Sequence, residues 1–405
     1  MDTDQNKIEL DWKSATSRLL LNPKLPMEER NQLRSLFDRY QSDLSGHLWV
    51  GSSGSSSSEE ASVKLVALSK TGFLHSAQAV NQHLQSKKSD IWGLALPSFH
   101  VGGLAILARG FLSGAKVVDF FSPEPSRTEQ ASMPVPMPVP MPIQWSAENY
   151  FHFLKEHRVT LSALVPTQVF DLVQANLGAP SHLRAVIVGG ASLQTELYRQ
   201  ARVLGWPLLP SFGMTEVCSQ IATADLGSLS SLEFPALRIL PHVQCRITVS
   251  GQLEIRSPAL LSGYAQILKN KFHFCDPKQD SWYLSEDRAQ LIDDTLQPLG
   301  RESEYVKVLG EGVNISIVEA QFRNFCRKQT NRQELELYVG TSADFRRGVL
   351  LNVYALQDPT LAKKLQLLLI EFNKENIPVH RLDQIRWVDK FPKTALGKIQ
   401  RNLLK

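Results

Sequence analysis

The sequence predicts an α/β protein with two domains, a large one at residues 1–302 and a small one at residues 303–405. Three observations predict it. At 405 residues the chain is too long for one ordinary core, so two or three units must each bury their own apolar surface. From about residue 90, short apolar runs alternate with segments of helical periodicity, the rhythm of a sheet with helices packed on both faces. After Arg246 the texture turns antiparallel, and a smaller α/β pattern begins near residue 303.

The elements follow in order. Leu48-Trp49-Val50 reads as a strand feeding a turn. Ile91 to Leu96 is a strand and Gly103 to Leu112 an apolar helix. Within a stretch at about 123–143, Met133 to Pro142 alternates Met or Val with Pro. It lacks the donors for a hydrogen-bond ladder and is expected to be an extended insertion. Ser146 caps a helix through Tyr150, Phe151 and Leu154; strand Leu161 to Val165 follows and breaks at Pro166. Next come a helix from about Gln168 to Leu177, strand Ala185 to Val188, Gly189-Gly190, and a helix from Gln194 to Leu204. Arg246 to Val249, Ser250-Gly251 and Leu253 to Arg256 form a hairpin. In the small domain Gly348 to Leu356 and Gln384 to Val388 are strands around a helix from Pro359 to Asn373.

Composition narrows the function classes. With 43% hydrophobic and 21% charged residues the chain has the make-up of a soluble globular protein. A formal net charge of +4, with Lys and Arg scattered, argues against nucleic acid and is neutral toward anionic small molecules. Met1 to Gln5 lacks the basic flank and apolar run of a secretory signal, and no apolar stretch is long enough for a bilayer, so a cytoplasmic location is expected. Cys218, Cys245, Cys275 and Cys326 are far apart and unpaired in spacing, which predicts reduced thiols rather than disulfides or zinc.

Several clusters carry the materials of chemistry. Gly51 to Ser58, including Ser52, Ser53, Gly54, Ser55 and Ser56, combines flexible backbone with hydroxyls and is followed by Lys64; it reads as a phosphate cradle or as a linker. Pro97 to Gly103 places His100 at a strand end where ligands of α/β sheets collect, as a substrate contact or as a packed histidine. Gly189-Gly190-Ala191 would let a flat ring lie against the backbone. Phe212-Gly213-Met214-Thr215-Glu216 sets a hydroxyl and a carboxylate beside a glycine turn, which suits phosphate contact and Mg²⁺. Asp287 and Arg301 form either a ribose and phosphate contact or a surface ion pair. Phe391 to Arg401 ends in Gly397-Lys398, where Lys398 can clamp a carboxylate against a phosphate or belong to a solvated basic tail.

Taken in order from residue 48 onward, these segments resemble the motif set of the adenylate-forming superfamily of acyl- and aryl-CoA synthetases, luciferases and peptide-synthetase adenylation domains. The resemblance implies a large AMP-binding domain of layered α/β sheets with a small β-rich subdomain, and a mobile C-terminal α+β domain that rotates about Ser303. It implies ATP, Mg²⁺ and coenzyme A, with Ser52 to Ser57 and Lys64 on pyrophosphate, Gly189 to Ala191 on adenine and Phe212 to Glu216 on phosphate and metal. It further implies Asp287 and Arg301 on the nucleotide and Lys398 in adenylation, while Gly310 to Asn314 with Glu319 resembles the loop used in thioester formation. Within the superfamily the chain is most similar to the o-succinylbenzoate–CoA ligases of menaquinone synthesis. Pro97 to Gly103, Arg109 nine residues beyond His100, and Leu164-Val165-Pro166-Thr167-Gln168 carry that likeness. Arg109 and Thr167 are thereby assigned to the acid, with His100 shaping the pocket; Arg109 on a solvated helix face is the other reading. A homodimer is also expected from the resemblance. The chain departs from the pattern at Ser57, Glu59-Glu60, Ser285-Glu286 and Ser303, and its phosphate loop begins earlier than usual, as though part of the N-terminal subdomain were missing. A ligase for another aryl or medium-chain acid, or a degenerate nucleotide-binding homologue, therefore stays open.

Overall fold

The computed structural model describes residues 10–51, 61–122, 144–269, 271–301, 304–308, 311–330, 332, 335–344, 348–393 and 399–404. The expected Pro-rich insertion, Ser52 to Ser58 and Lys398 lie outside them. The chain divides into two compact units, Met1–Ser285 with Gln290–Gln297, and Glu286–Ala289 with Pro298–Lys405.

The first unit begins with β1 (Arg18–Leu20), α1 (Met27–Tyr40), β2 (His47–Gly51), β3 (Ala61–Ser69) and α2 (Lys70–His83). Ser69 starts α2 by accepting the Gly72 N–H at 2.9 Å. The buried Lys70 ammonium donates to the carbonyls of Asp11, Ser14 and Thr16 at 2.8, 3.0 and 2.8 Å, tying the entering chain down.

The βα rhythm follows as β4 (Ile91–Leu94), α3 (Val101–Ser113), β5 (Lys116–Asp119), α4 (Ala147–Glu156), β6 (Leu161–Leu164), α5 (Pro166–Gln174), β7 (Ala185–Val188), α6 (Thr195–Val203) and β8 (Leu208–Met214). These strands pair in parallel in the order β8-β7-β6-β4-β5. Alternation along β7 builds both layers. Ala185 and Ile187 pack with Val80 of α2 and Ile106 of α3, whereas Val186 and Val188 pack with Tyr150, Val169 and Tyr198 of α4, α5 and α6. Ser146 caps α4 as expected, accepting the Asn149 N–H at 3.1 Å. Pro166 opens α5 instead of merely ending a strand, because a proline at the first helical position sacrifices no hydrogen bond.

The antiparallel part comprises β9 (Ser219–Thr223), β10 (Leu237–Ile239), β11 (Gln244–Ile247), β12 (Gln252–Arg256), β13 (Gly263–Leu268), β14 (Lys271–Cys275), β15 (Tyr283–Ile292) and β16 (Thr295–Arg301). The expected hairpin strand Arg246–Val249 sits earlier, because the Thr248 hydroxyl accepts the Gln252 N–H at 3.0 Å and draws Thr248 and Val249 into the turn. An eleven-stranded sheet, β11-β12-β15-β16-β10-β9-β8-β7-β6-β4-β5, and a five-stranded one, β1-β2-β3-β13-β14, result.

The second unit holds the hairpin β17 (Tyr305–Val308) and β18 (Glu311–Asn314), then α7 (Ile315–Thr330), β19 (Leu337–Asp344), β20 (Gly348–Leu356), α8 (Pro359–Glu375) and β21 (Gln384–Val388). The sheet order is β19-β20-β21. It has a core cluster of its own, with Phe322 of α7 edge-on to Phe372 of α8 at 5.1 Å. Among the described residues no helix is long and apolar enough to cross a membrane.

Candidate active site at the strand ends

In the parallel sheet the chain leaves β4 for β5 on one side and returns to β6 on the other. A crevice at the carboxyl ends of β4 and β6 follows from that reversal, and it is where open α/β sheets hold ligands. The segments after β4, β6 and β7 contain His100, Thr167 and Gly189 to Ala191, and Phe212 to Glu216 run from the end of β8 into the following turn, so the topology brings these sequence-predicted residues to one edge.

His100 is the N-cap residue of α3, and its ring lies 4.7 Å from that of Phe99. Its Nε2 is buried without a hydrogen-bond partner among the described residues. Burial pushes the imidazole down to about 4, so it is neutral near pH 7. The helix can start so close to β4 only because residue 103 is glycine; a Cβ there would lie 2.3 Å from the Pro97 carbonyl oxygen. Gln168 braces the β6–α5 turn, accepting the Val165 N–H at 2.9 Å and donating to Ala95 O at 3.1 Å, beside the exposed Thr167.

Arg109 is 2% exposed, which removes the solvated-face alternative. One guanidinium nitrogen donates to Gln220 Oε1 at 2.5 Å, and Cζ stands 5.4 Å from the Trp92 ring centroid. Its Nε is buried without a partner among the described residues, and burial pushes the group down to about 9. His242 has both ring nitrogens buried and unpartnered within the same set. Burial, then the charges of His75 and Arg109, pushes it down to about 4.

After β7, Ser211 Oγ donates to Val188 O at 3.1 Å, and a Cβ on Gly189 would meet that hydroxyl at 2.8 Å. At the end of β8 the chain turns sharply: a Cβ on the exposed Gly213 would lie 1.8 Å from Ser219 O. Cys218 and Ser219 hold positive φ of 49° and 119°, which non-glycine residues adopt at a cost of about 1–3 kcal/mol each. Thr215 and Glu216 stand on the single 3-10 turn that this strained corner produces.

Glu216 is the best-held polar side chain of the group. Its Oε1 accepts the Tyr264 hydroxyl at 2.9 Å, and the Tyr264 and Tyr283 hydroxyls lie 3.0 Å apart. Burial and the Glu216 charge hold the Tyr264 phenol protonated, far above its ordinary value. Lys64 Nζ lies 4.3 Å from the centroid of the same Tyr264 ring. The β3–β13 pairing makes this possible, with Lys64 opposite Gln266 and Val66 opposite Tyr264. Sequence reasoning missed Tyr264 because a tyrosine in a β-rich run reads as ordinary strand packing; only the fold sets its hydroxyl against Glu216. It missed Gln220 for the same reason, since that side chain meets Arg109 across 111 residues, and it missed His242, which feels the Arg109 charge.

In the second unit Arg301 Nε stands 3.7 Å from Asp287 Oδ1, and the Arg301 N–H donates to Glu304 Oε2 at 3.3 Å.

Glu216, just beyond β8 of the parallel sheet, meets Tyr264 and through its ring Lys64 of the five-stranded sheet, so a held carboxylate with an adjacent hydroxyl stands near a cation, a set suited to binding a metal ion and anions. Comparison with known proteins agrees. The family model of AMP-binding enzymes matches residues 60–265. The 2-succinylbenzoate–CoA ligase of Bacillus licheniformis is 26% identical over 339 residues, covering 81% of this chain and 63% of the relative. The Bacillus subtilis o-succinylbenzoate CoA synthetase in complex with its acyl-adenylate intermediate superposes with a TM-score of 0.69 at 22% identity, covering 88% of this chain and 68% of that one. The same enzyme with ATP and magnesium gives 0.68 at 21% identity, covering 88% and 69%. The chain thus spans about three-fifths of the length of the curated relatives it matches. Since the family model covers half of its length, the chain belongs to the AMP-binding enzymes.

Proposed function

We propose that the chain is an AMP-forming acid–CoA ligase that activates o-succinylbenzoate and transfers it to coenzyme A, a step of menaquinone biosynthesis. The observation that carries this reading is the Lys64–Tyr264–Glu216 array, which pairs a cation with an oriented carboxylate at the ligand-binding edge of the sheet. The relatives named for that ligation, and the complexes of the Bacillus subtilis enzyme with acyl-adenylate and with ATP and magnesium, support it.

In the first half-reaction an oxygen of the acid's carboxylate attacks the α-phosphorus of ATP, the bond to the β-phosphate oxygen breaks, and pyrophosphate leaves. In the second the sulfur of coenzyme A, its proton lost, attacks the acyl carbon and AMP leaves. Both need two anionic partners aligned and neutralised rather than a protein nucleophile. Lys64, with Ser52, Ser53, Gly54, Ser55 and Ser56, is assigned to the departing phosphates, Thr215 to a phosphate oxygen, and Lys398 to the adenylation step. Gly189 to Ala191 take the adenine side, Phe212 to Met214 line the phosphate side beside Thr215, and Asp287 and Arg301 take the ribose. Glu216 fits Mg²⁺, since one carboxylate fixed by a phenol, next to the Thr215 hydroxyl, leaves other positions for phosphate oxygens and water. When bound, the ion supplies positive charge that neutralises the phosphates. Arg109 is assigned to the acid's second carboxylate, because a fully buried guanidinium with an unpartnered Nε calls for an anion. Thr167 and the neutral His100 shape the pocket. A cytoplasmic location fits four free cysteines. A homodimer rests on the family resemblance alone and is read by light scattering.

The test is release of AMP and pyrophosphate from Mg-ATP by the purified chain with o-succinylbenzoate and coenzyme A, beside benzoate and octanoate. Selective turnover of o-succinylbenzoate is expected. Turnover of another acid alone would keep the ligase and replace the substrate, and inertness of the folded protein with every acid would leave a nucleotide-binding homologue.

A further inference from the structure

Glu319, on the buried side of α7, is 5% exposed. Its Oε1 accepts from Arg323 at 2.5 Å, its Oε2 from the Val339 N–H at 2.8 Å and also from Arg401. Two of these partners serve the fold. Arg323 is one turn along the same helix, and Val339 lies on β19, the open edge of the sheet, where an outward N–H needs an acceptor. Arg401 is the third, and it follows Lys398 by three residues in sequence. Its guanidinium also donates to Val339 O at 2.7 Å and to Ser316 Oγ at 3.1 Å, so a planar fork is fixed by acceptors from both α7 and β19.

The other flank of the Lys398 segment is held against the same strand region. Lys393 pairs with Glu336, the Tyr338 hydroxyl donates to Glu336 at 2.7 Å, and the Phe391 ring meets Tyr338 edge-on at 4.7 Å. Lys393 and Ile399 form an antiparallel bridge, and the Gln400 N–H donates to Pro392 O at 2.8 Å. Residues 393 and 399 are thus closed into a neck whose C-terminal side is fastened through Arg401.

We propose that Glu319 is a positioning residue for Lys398, acting through Arg401. The inference rests on the adenylation role of Lys398 proposed above. A carboxylate this deeply buried costs desolvation that its partners offset, and what the arrangement secures is one fixed origin for the Lys398 segment. Misplacing a reacting charge by about 1 Å costs up to about 10²-fold in rate. Glu319 therefore belongs to adenylation, although its sequence neighbourhood resembles the thioester loop.

The experiment measures the two half-reactions separately in the whole chain, acid-dependent ATP–pyrophosphate exchange for adenylation and conversion of supplied acyl-adenylate for thioester formation. Glu319→Gln and Arg401→Gln should each lower the exchange kcat by about 10- to 100-fold, shift KM for ATP by less than about 3-fold, and leave the thioester step within about 3-fold. Arg401→Lys should recover part of the loss. Leu368→Ala, a core truncation on α8 that none of the clamp's contacts involves, serves as the control of comparable destabilisation. Equal loss of both half-reactions in the Gln variants, or the same selective loss in the control, would overturn the positioning role. Arg401→Gln leaves Glu319 its other two partners, so it reports even if Glu319→Gln fails to fold. A parent that exchanges no pyrophosphate with any acid would instead sink the reading of Lys398, and an active parent with unimpaired variants would sink only the clamp.

Discussion

Tyr264 joins a charge to a charge without carrying one. Its hydroxyl gives Glu216 a single preferred orientation, and its ring face offers the Lys64 ammonium an attractive surface at 4.3 Å. Tyr264→Phe keeps the ring and removes the donor. A hydrogen bond to a charged acceptor contributes about 1.5–3 kcal/mol, so adenylation should fall by about 10- to 100-fold with a raised Mg-ATP requirement, and stability should fall by no more than that amount. Unchanged Mg²⁺ dependence would contradict the assignment of Glu216. Arg109 makes a second test. Arg109→Met removes a buried charge but leaves Gln220 Oε1 without its donor, so it should cost about 1–3 kcal/mol of stability and lose about 10²-fold on o-succinylbenzoate with little change on benzoate. The buried histidines add a pH signature. His242 is pushed from 6.5 down to about 4, so between those values the unfolded chain binds a proton that the folded chain refuses. Stability then falls as pH drops from about 6.5 toward 4. Urea midpoints at about pH 7 and pH 5 should converge in His242→Gln relative to the parent; an equal pH slope in both would refute the neutral burial.

At the scale of elements, the backbone corner between β8 and β9 does what no side chain could do alone. Residues 213 and 219 approach so closely that any Cβ at 213 strikes a carbonyl, and the chain accepts positive φ at Cys218 and Ser219 to complete the turn. Gly213→Ala should cost about 3 kcal/mol or more, since the obstruction is backbone and cannot rotate away. It should also weaken adenylation by displacing Thr215 and Glu216. A variant with the parent's melting temperature and activity would mean that the corner relaxes freely. This element also marks the limit of what the sequence discloses. The strands and helices of the βα repeat were legible, because burial on two faces writes continuous apolar runs and glycine turns, and the carboxyl-end rule then gathers His100, Thr167, Gly189 and Glu216 onto one edge. The pairing of β3 with β13 was not legible. About two hundred residues separate Lys64 from Tyr264, and no periodicity encodes which distant strand a half-buried strand will choose. Arg109 could be read as solvated or buried for a related reason, because its buried partner Gln220 arrives 111 residues later.

At the scale of the whole molecule the decisive feature is that each compact unit has a core cluster of its own among the described residues. Phe322, Phe372, Leu337 and Val353 form a cluster inside the second unit, apart from the clusters that sandwich the parallel sheet of the first. Cooperative unfolding follows shared core, so two cores predict two calorimetric transitions rather than one. The smaller unit, with less area buried per residue, should melt first. Phe322→Ala identifies it: this side chain is 0% exposed and packs edge-on against Phe372, so truncation should remove about 3–5 kcal/mol from one transition only. Mg-ATP at high concentration should raise the other transition, where Lys64 and Glu216 reside, because a ligand stabilises the state that binds it by mass action. A single transition that Phe322→Ala and Mg-ATP shift together would show the two units to unfold as one, and the separation of cores would then not be a separation of stabilities.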